Sequence, residues 1–208
     1  RFGYLTACPT NVGTGIRFGV MLHLPALKLT GDIDKVKRAA DDMGLAVRGF
    51  YGEGSEAFAD LYQLSNQTTL GKSESVLLHE MAEEIVPKLI AYERYARETL
   101  LKTRREGIED LTYRALGTLL HARLLPTGEA MDLLSKLRLG RVLGLIDAPG
   151  RASIHHLLLL CQPAHLQRTV RTELPQSERR QARAAVIRTM LRRELGLPVE
   201  ETPWPSES

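Results

Sequence analysis

Apolar and polar positions change rhythm near residue 73. Before it, apolar residues come in short runs broken by Gly, Pro and Asn. Phe18–Leu27 reads as a strand entering a turn. Residues 30–45 read as a helix with Ile33, Val36, Ala40 and Met43 on one face, stopped by Gly44. Leu45–Phe50 reads as a second strand and Ala59–Gly71 as a third. From Ser73 onward the spacing becomes three and four. Leu78, Met81, Ile85, Leu89, Tyr92, Ala96 and Leu100 form one apolar stripe. Pro87 removes a backbone donor midway, so a kink or break is expected there. Ile108, Leu111, Ala115 and Leu119 mark another helix ending before Pro126. Thr127 is the expected cap of the next, with Ala130, Leu133, Leu134 and Leu137 inward. In the last helix Ser177 is the expected cap and Glu178 sits in the first turn. Arg179, Arg180 and Arg183 are expected on one side, opposite Val186, Ile187 and Met190. The stretch from Gly196 to Ser208, rich in Pro, Glu and Ser, is expected to be disordered.

Composition narrows the class. At 208 residues and 43% hydrophobic, the chain can bury one good core or two small ones. No apolar run approaches the ~18 residues of a membrane span; the longest, Leu157–Cys161, reads as a turn of core helix. The two cysteines, Cys8 and Cys161, suit a reducing cytosol and hence a cytoplasmic location, with Cys161 a buried thiol. A net charge of only +3 does not argue for nucleic acid. No metal site is read. His79-Glu80-Met81-Ala82-Glu83 lacks the second histidine of a zinc pair, and adjacent His155 and His156 cannot both face one metal from a helix.

The chemistry is concentrated in Cys8-Pro9-Thr10-Asn11-Val12-Gly13-Thr14-Gly15-Ile16-Arg17. A thiol close to positive charge is pushed toward thiolate. Gly13 and Gly15 let backbone N–H groups approach phosphate oxygens. Arg17 offers a planar, permanently charged fork matched to phosphate. The plain alternative is a turn between strands, with Cys8 a small hydrophobe. A second block, Val47-Arg48-Gly49-Phe50-Tyr51-Gly52-Glu53-Gly54-Ser55-Glu56, follows downstream.

Cys-Pro-x-Asn-aliphatic-Gly-Thr resembles the active-site motif of the ATP:guanido phosphotransferases, and the second block resembles that family's loop with an ATP-binding arginine and a substrate-clamping carboxylate. The resemblance implies that Cys8 and Glu53 grip the substrate guanidinium while Arg17 and Arg48 hold ATP phosphates. Backbone groups of Phe18, Gly19, Val20 and Met21, and of Gly49, Phe50, Tyr51, Gly52 and Glu53, would complete the nucleotide site. Mg²⁺ would bridge the phosphates. A guanidinium is a poor nucleophile until a carboxylate orients it and helps remove a proton; the transfer otherwise needs positioning and charge neutralisation.

The resemblance runs from residue 2 to about residue 102 and implies an α+β fold. A truncated antiparallel-sheet catalytic domain (1–105) would be followed by an all-helical dimerisation and regulatory domain (106–195) and a disordered tail (196–208). Family members carry further catalytic strands and a second substrate carboxylate upstream, so a C-terminal fragment with little activity of its own is expected. The long helical half resembles the bacterial protein arginine kinases rather than the small-molecule guanidino kinases. That branch implies protein arginines as acceptor, a homodimer, and a link to AAA+ protease machinery. Its Arg-Asp-x-x-Arg-Ala motif, implicated in phosphoarginine binding, is matched by Arg179-Arg180-Gln181-Ala182-Arg183-Ala184, with Arg180 in place of Asp. A small-molecule phosphagen kinase and a non-catalytic phosphoarginine-binding dimerisation module are the alternatives.

Overall fold

The computed structural model describes residue 8 and residues 11–49, 58–201 and 204. The chain divides into two compact units, Arg1–Lys102 and Thr103–Ser208.

In the first unit, β1 (Gly19–His23), β2 (Leu45–Gly49) and β3 (Leu61–Asn66) form an antiparallel sheet in the order β1-β3-β2. The predicted strand over Phe18–Leu27 is cut short because Pro25 cannot donate to a ladder. Pro25 instead opens the short helix α1 (Pro25–Thr30), where its missing N–H costs nothing. Gly31, at φ 79°, ends α1. Helix α2 (Ile33–Asp42) buries Ile33 and Ala40 as its spacing predicts, whereas Met43 lies beyond its end and is 60% exposed. Gly44, at φ 70°, turns the chain into β2. The third strand is shorter than Ala59–Gly71, being preceded by a 3₁₀ turn at Phe58–Asp60.

The helical stretch begins as read. Ser73 caps α3 (Glu74–His79), its hydroxyl accepting from Val76 N at 3.4 Å. The irregularity expected at Pro87 is a π-helical turn, Glu80–Ile85, directly before α4 (Val86–Thr103). The wider turn absorbs the proline and slips the apolar stripe by one residue. Leu77 is therefore buried and Leu78 is 50% exposed; Met81, Leu89, Ala96 and Leu100 are buried as expected.

The second unit comprises α5 (Arg105–His121), α6 (Thr127–Val142), α7 (Arg151–Leu160), α8 (Pro163–Val170) and α9 (Gln176–Glu194). Leu119, Leu125, Met131, Leu134, Leu137, Ile154, Leu157 and Leu166 fill its interior. Helices α5 and α6 approach closely at Gly140: a Cβ there would lie 2.2 Å from the Thr112 methyl. Two expected caps are displaced. Pro126 rather than Thr127 precedes α6, and Pro175 rather than Ser177 precedes α9.

The arginine face of α9 also differs from expectation. At 3.6 residues per turn, positions 179, 183, 186 and 190 fall on one side, so Arg179 and Arg183 share a face with Val186 and Met190 instead of opposing them. Val186 and Met190 pack into a cluster with Leu160, Leu166, Val170, Leu174 and Ala182. Two described residues of the segment expected to be disordered make contacts with the helices. Glu200 pairs with Arg123, Arg188 and Arg192, and Trp204 packs on the same apolar cluster. Composition registers charge and proline but not the arginines waiting to receive that carboxylate. No helix among the described residues is long and apolar enough to cross a membrane.

Candidate active site

Cross-strand neighbours share a face of the sheet, and faces alternate along each strand. Met21 pairs with Gln63, which pairs with Arg48, so these three form one row across all three strands. Gly19, opposite Ser65, lies on the same face. Leu64 and Tyr62 point the other way into the core. Met21 and Gln63 are exposed and Arg48 is half-buried. Ala46 and Ser65 on this face are buried, so its open part carries the Arg48 fork, the Gln63 amide and Met21, with His23 at the far end of β1 and a glycine without a side chain at the near end. Met21 and Arg48, two strands apart, are about 10 Å from each other, the reach of a polyphosphate.

The loop entering β1 is clamped to the end of β3. Asn66, 4% exposed, accepts from Phe18 N at 2.7 Å and donates to Ile16 O and Thr68 O, each at 3.1 Å. Thr69 donates its hydroxyl to Val12 O at 2.8 Å, and its carbonyl accepts from Thr14 N at 2.9 Å. Gly13 runs so close to Thr69 that a Cβ would lie 2.1 Å from its carbonyl oxygen, at φ +105°. Glycine is required there on both counts. Arg17 and Cys8 are exposed, and Cys8 O accepts from Asn11 N at 2.9 Å. Phe50, Tyr51, Gly52 and Glu53 lie outside the described residues.

The far end of β1 is held from beneath by a buried acid. Glu93 on α4 is 3% exposed and accepts from Ala26 N at 3.2 Å and Leu27 N at 3.1 Å, the start of α1. Its partner Arg97 donates to it at 2.7 Å and reaches His23 O at 3.4 Å. Burial raises the Glu93 pKa against the opposing pull of Arg97 and the two amides. Sequence reading passed over Glu93, Asn66 and Thr69. The one available signal was an acid on the apolar side of a helix, three residues before Ala96.

A cavity of about 570 Å³ also opens in this unit, between α2, α4 and the β2–β3 backs, lined by Val36, Met43, Leu64 and Leu89 with Lys35 and Lys88. It lies on the face opposite Arg48. It is therefore separate from the row just described.

In the second unit, Arg179, Arg180 and Arg183 are not gathered on one exposed surface. Arg183 is 2% exposed and donates to Cys161 O at 2.9 Å and Leu125 O at 2.8 Å. Arg179 donates to Leu174 O at 2.9 Å, while Arg180 is exposed. The register explains this: Arg183 lies one turn after Arg179 on the packed side. Burial pushes the Cys161 thiol up to about 12. No group of three His, Cys, Asp or Glu that could hold a metal occurs among the described residues.

The first unit thus defines a small antiparallel sheet with one face open, cationic and edged by a glycine-rich loop. The family described as ATP:guanido phosphotransferase, C-terminal catalytic domain, matches residues 1–96, and that described as protein-arginine kinase McsB C-terminal domain matches residues 105–201. Curated proteins named protein-arginine kinase are similar throughout. That of Halalkalibacterium halodurans is 47% identical over 192 residues, covering 92% of this chain and 54% of the relative. That of Geobacillus stearothermophilus is 48% identical over 194 residues, 93% and 53% respectively. That of Caldanaerobacter subterraneus subsp. tengcongensis is 47% identical over 191 residues, 92% and 56%. The chain belongs to the ATP:guanido phosphotransferase family, in its protein-arginine kinase branch. It spans about half the length of the curated relatives it matches.

Proposed function

We propose that this chain is the C-terminal portion of an ATP-dependent protein arginine kinase, moving the γ-phosphoryl of ATP onto arginine side chains of proteins. The observation that carries the reading is the row Met21–Gln63–Arg48 on the open sheet face, with the Cys8–Arg17 loop clamped beside it by Asn66 and Thr69. Arg48 and Arg17 neutralise and position the nucleotide phosphates, and backbone groups of 18–21 and 49–52 seat the rest of the nucleotide. Cys8 and Glu53 hold the acceptor guanidinium, Glu53 drawing off its proton as nitrogen attacks phosphorus and ADP leaves. The row itself offers a thioether, an amide and a cation, which do not make an oxygen-ligand cage for a metal. Mg²⁺ enters only as the companion of the nucleotide phosphates.

Arg179, Arg180 and Arg183 belong to the phosphoarginine-responsive segment of the branch. On this reading Arg183 acts by fixing the helix and only Arg179 and Arg180 are placed to meet a ligand. The helical unit mediates dimerisation, and the enzyme works in the cytoplasm alongside AAA+ proteolysis.

The test is to restore the chain to full length and offer ATP with either free arginine or a folded arginine-bearing protein. Phosphorylation of the protein in preference to free arginine is expected. Preference for free arginine would instead make it a phosphagen kinase, and transfer to neither would overturn the catalytic reading.

A further inference from the structure

Three guanidinium groups converge on one carboxylate in the second unit, far along α9 from Arg183. Arg123, after α5, grips both oxygens of Glu200: Nη1 donates to Oε2, and Nη2 donates to Oε1 at 3.2 Å. Arg188 Nε stands 3.7 Å from Oε2 and Arg192 Nη2 stands 3.7 Å from Oε1, both beyond hydrogen-bond range. Those two arginines are anchored from behind, Arg188 Nη1 on Ala122 O at 2.6 Å and Arg192 Nη1 on Pro198 O at 2.9 Å. Their side chains are 11% and 15% exposed, and their buried Nε atoms have no hydrogen-bond partner. Three positive charges, two of them anchored and the third on the 64% exposed Arg123, therefore face a single negative one, and buried donors remain unmet. Such donors are costly to leave unpaired.

We infer that the Arg123–Arg188–Arg192 cluster is a binding site for a dianionic phosphoryl group, which Glu200 occupies as a displaceable internal plug. A phosphoryl group brings about two negative charges and three acceptor oxygens, enough to serve all three forks, whereas Glu200 comes within hydrogen-bond range of Arg123 but not of Arg188 or Arg192. Burial, and after it repulsion from Arg123 and Arg192, lowers the Arg188 pKa, and the hydrogen bond from Arg123, with the charges of all three arginines, lowers that of Glu200. The repulsive part is what a dianion relieves. Glu200 sits beyond the end of α9 with its side chain 39% exposed, so it can leave without unpacking the unit. The inference uses only the second unit and stands apart from the catalytic reading.

The 208-residue chain is titrated calorimetrically with inorganic phosphate at constant ionic strength, and separately with a short phosphoserine peptide. Saturable binding is expected. Because the plug holds the site closed in the unliganded state, Glu200→Gln should tighten phosphate binding by about tenfold or more. Arg123→Ala and Arg192→Lys should weaken it by about tenfold, the latter because it keeps the charge but loses the fork. Hydrogen exchange over residues 196–201 should rise with phosphate, as the released segment loosens. Tighter binding of the peptide assigns a protein-borne phosphoryl group, and tighter binding of phosphate assigns the free anion. Absence of saturable binding in Glu200→Gln, or equal affinity in Arg123→Ala and the unmodified chain, overturns the inference.

Discussion

Replacing Glu93 by alanine should be among the most damaging single changes in the first unit. The residue is 3% exposed and its side chain accepts three hydrogen bonds, from Ala26 N, Leu27 N and Arg97 Nε. Its loss strands two amides at the start of α1 and leaves Arg97, with its side chain 18% exposed, short of a counter-charge. Breaking a buried pair from one side typically costs about 3–5 kcal/mol. For a unit of this size, that corresponds to a fall in Tm of at least about 12 °C. Glu93→Gln keeps the shape and one acceptor but turns an N–H toward a donor, so a loss of about 1–3 kcal/mol is expected. The pH dependence has a defined sign. Burial raises the folded-state pKa of Glu93 above its ordinary 4.5. The folded chain then holds that proton more tightly than the unfolded chain, so the Glu93 contribution to stability falls as pH rises from 4.5 through the raised value. Glu93→Gln should remove that part of the slope. The assay is urea unfolding followed by far-ultraviolet circular dichroism across pH, with hydrogen exchange at Ala26 and Leu27 as the local readout. A loss below about 1 kcal/mol for Glu93→Ala, with both amides still protected, would refute the reasoning.

Four further outcomes are expected. Asn66→Ala should release Phe18 N and cost about 1–3 kcal/mol, seen as faster exchange at Phe18 and, in the restored full-length enzyme, a raised KM for ATP. Gly140→Ala forces a methyl group into Thr112 and should cost about 1–3 kcal/mol, read by fluorescence of Trp204 in the same unit. One thiol, exposed Cys8, should react quickly with an aromatic disulfide in the native chain, while Cys161, its pKa pushed up to about 12, should react only after unfolding. In the restored enzyme, Cys8→Ala should lower kcat sharply while leaving nucleotide affinity nearly unchanged; equal losses in both would make the thiol structural.

Much of the fold was legible because local signals agreed with it. Gly44 ends α2, Ser73 caps α3, and the spacing of Ile33 and Ala40 matches the buried face of α2, whereas α1, ended by Gly31, fell where a strand and the start of a helix were read. The errors share a cause. Apolar spacing gives a helix its face only while the turn stays at 3.6 residues, and the π turn at Glu80–Ile85 moved burial from Leu78 to Leu77. On α9 three arginines were expected on the side opposite the apolar residues, though a guanidinium can be buried wherever main-chain carbonyls receive it, as Cys161 and Leu125 receive Arg183.

The order of residues alone carried the motifs on which the kinship rests, and with them a thiol, two arginines, an acid and several glycines. Those follow from composition and spacing, which are properties of the chain itself. Only tertiary structure aligned Met21, Gln63 and Arg48 across three strands, buried Glu93 beneath the start of α1, and brought Glu200 to Arg123, Arg188 and Arg192. Partners in such contacts stand up to 77 positions apart. No local preference encodes which distant group will meet a given donor; packing decides it, by leaving each buried polar atom only the neighbours that the fold brings within reach.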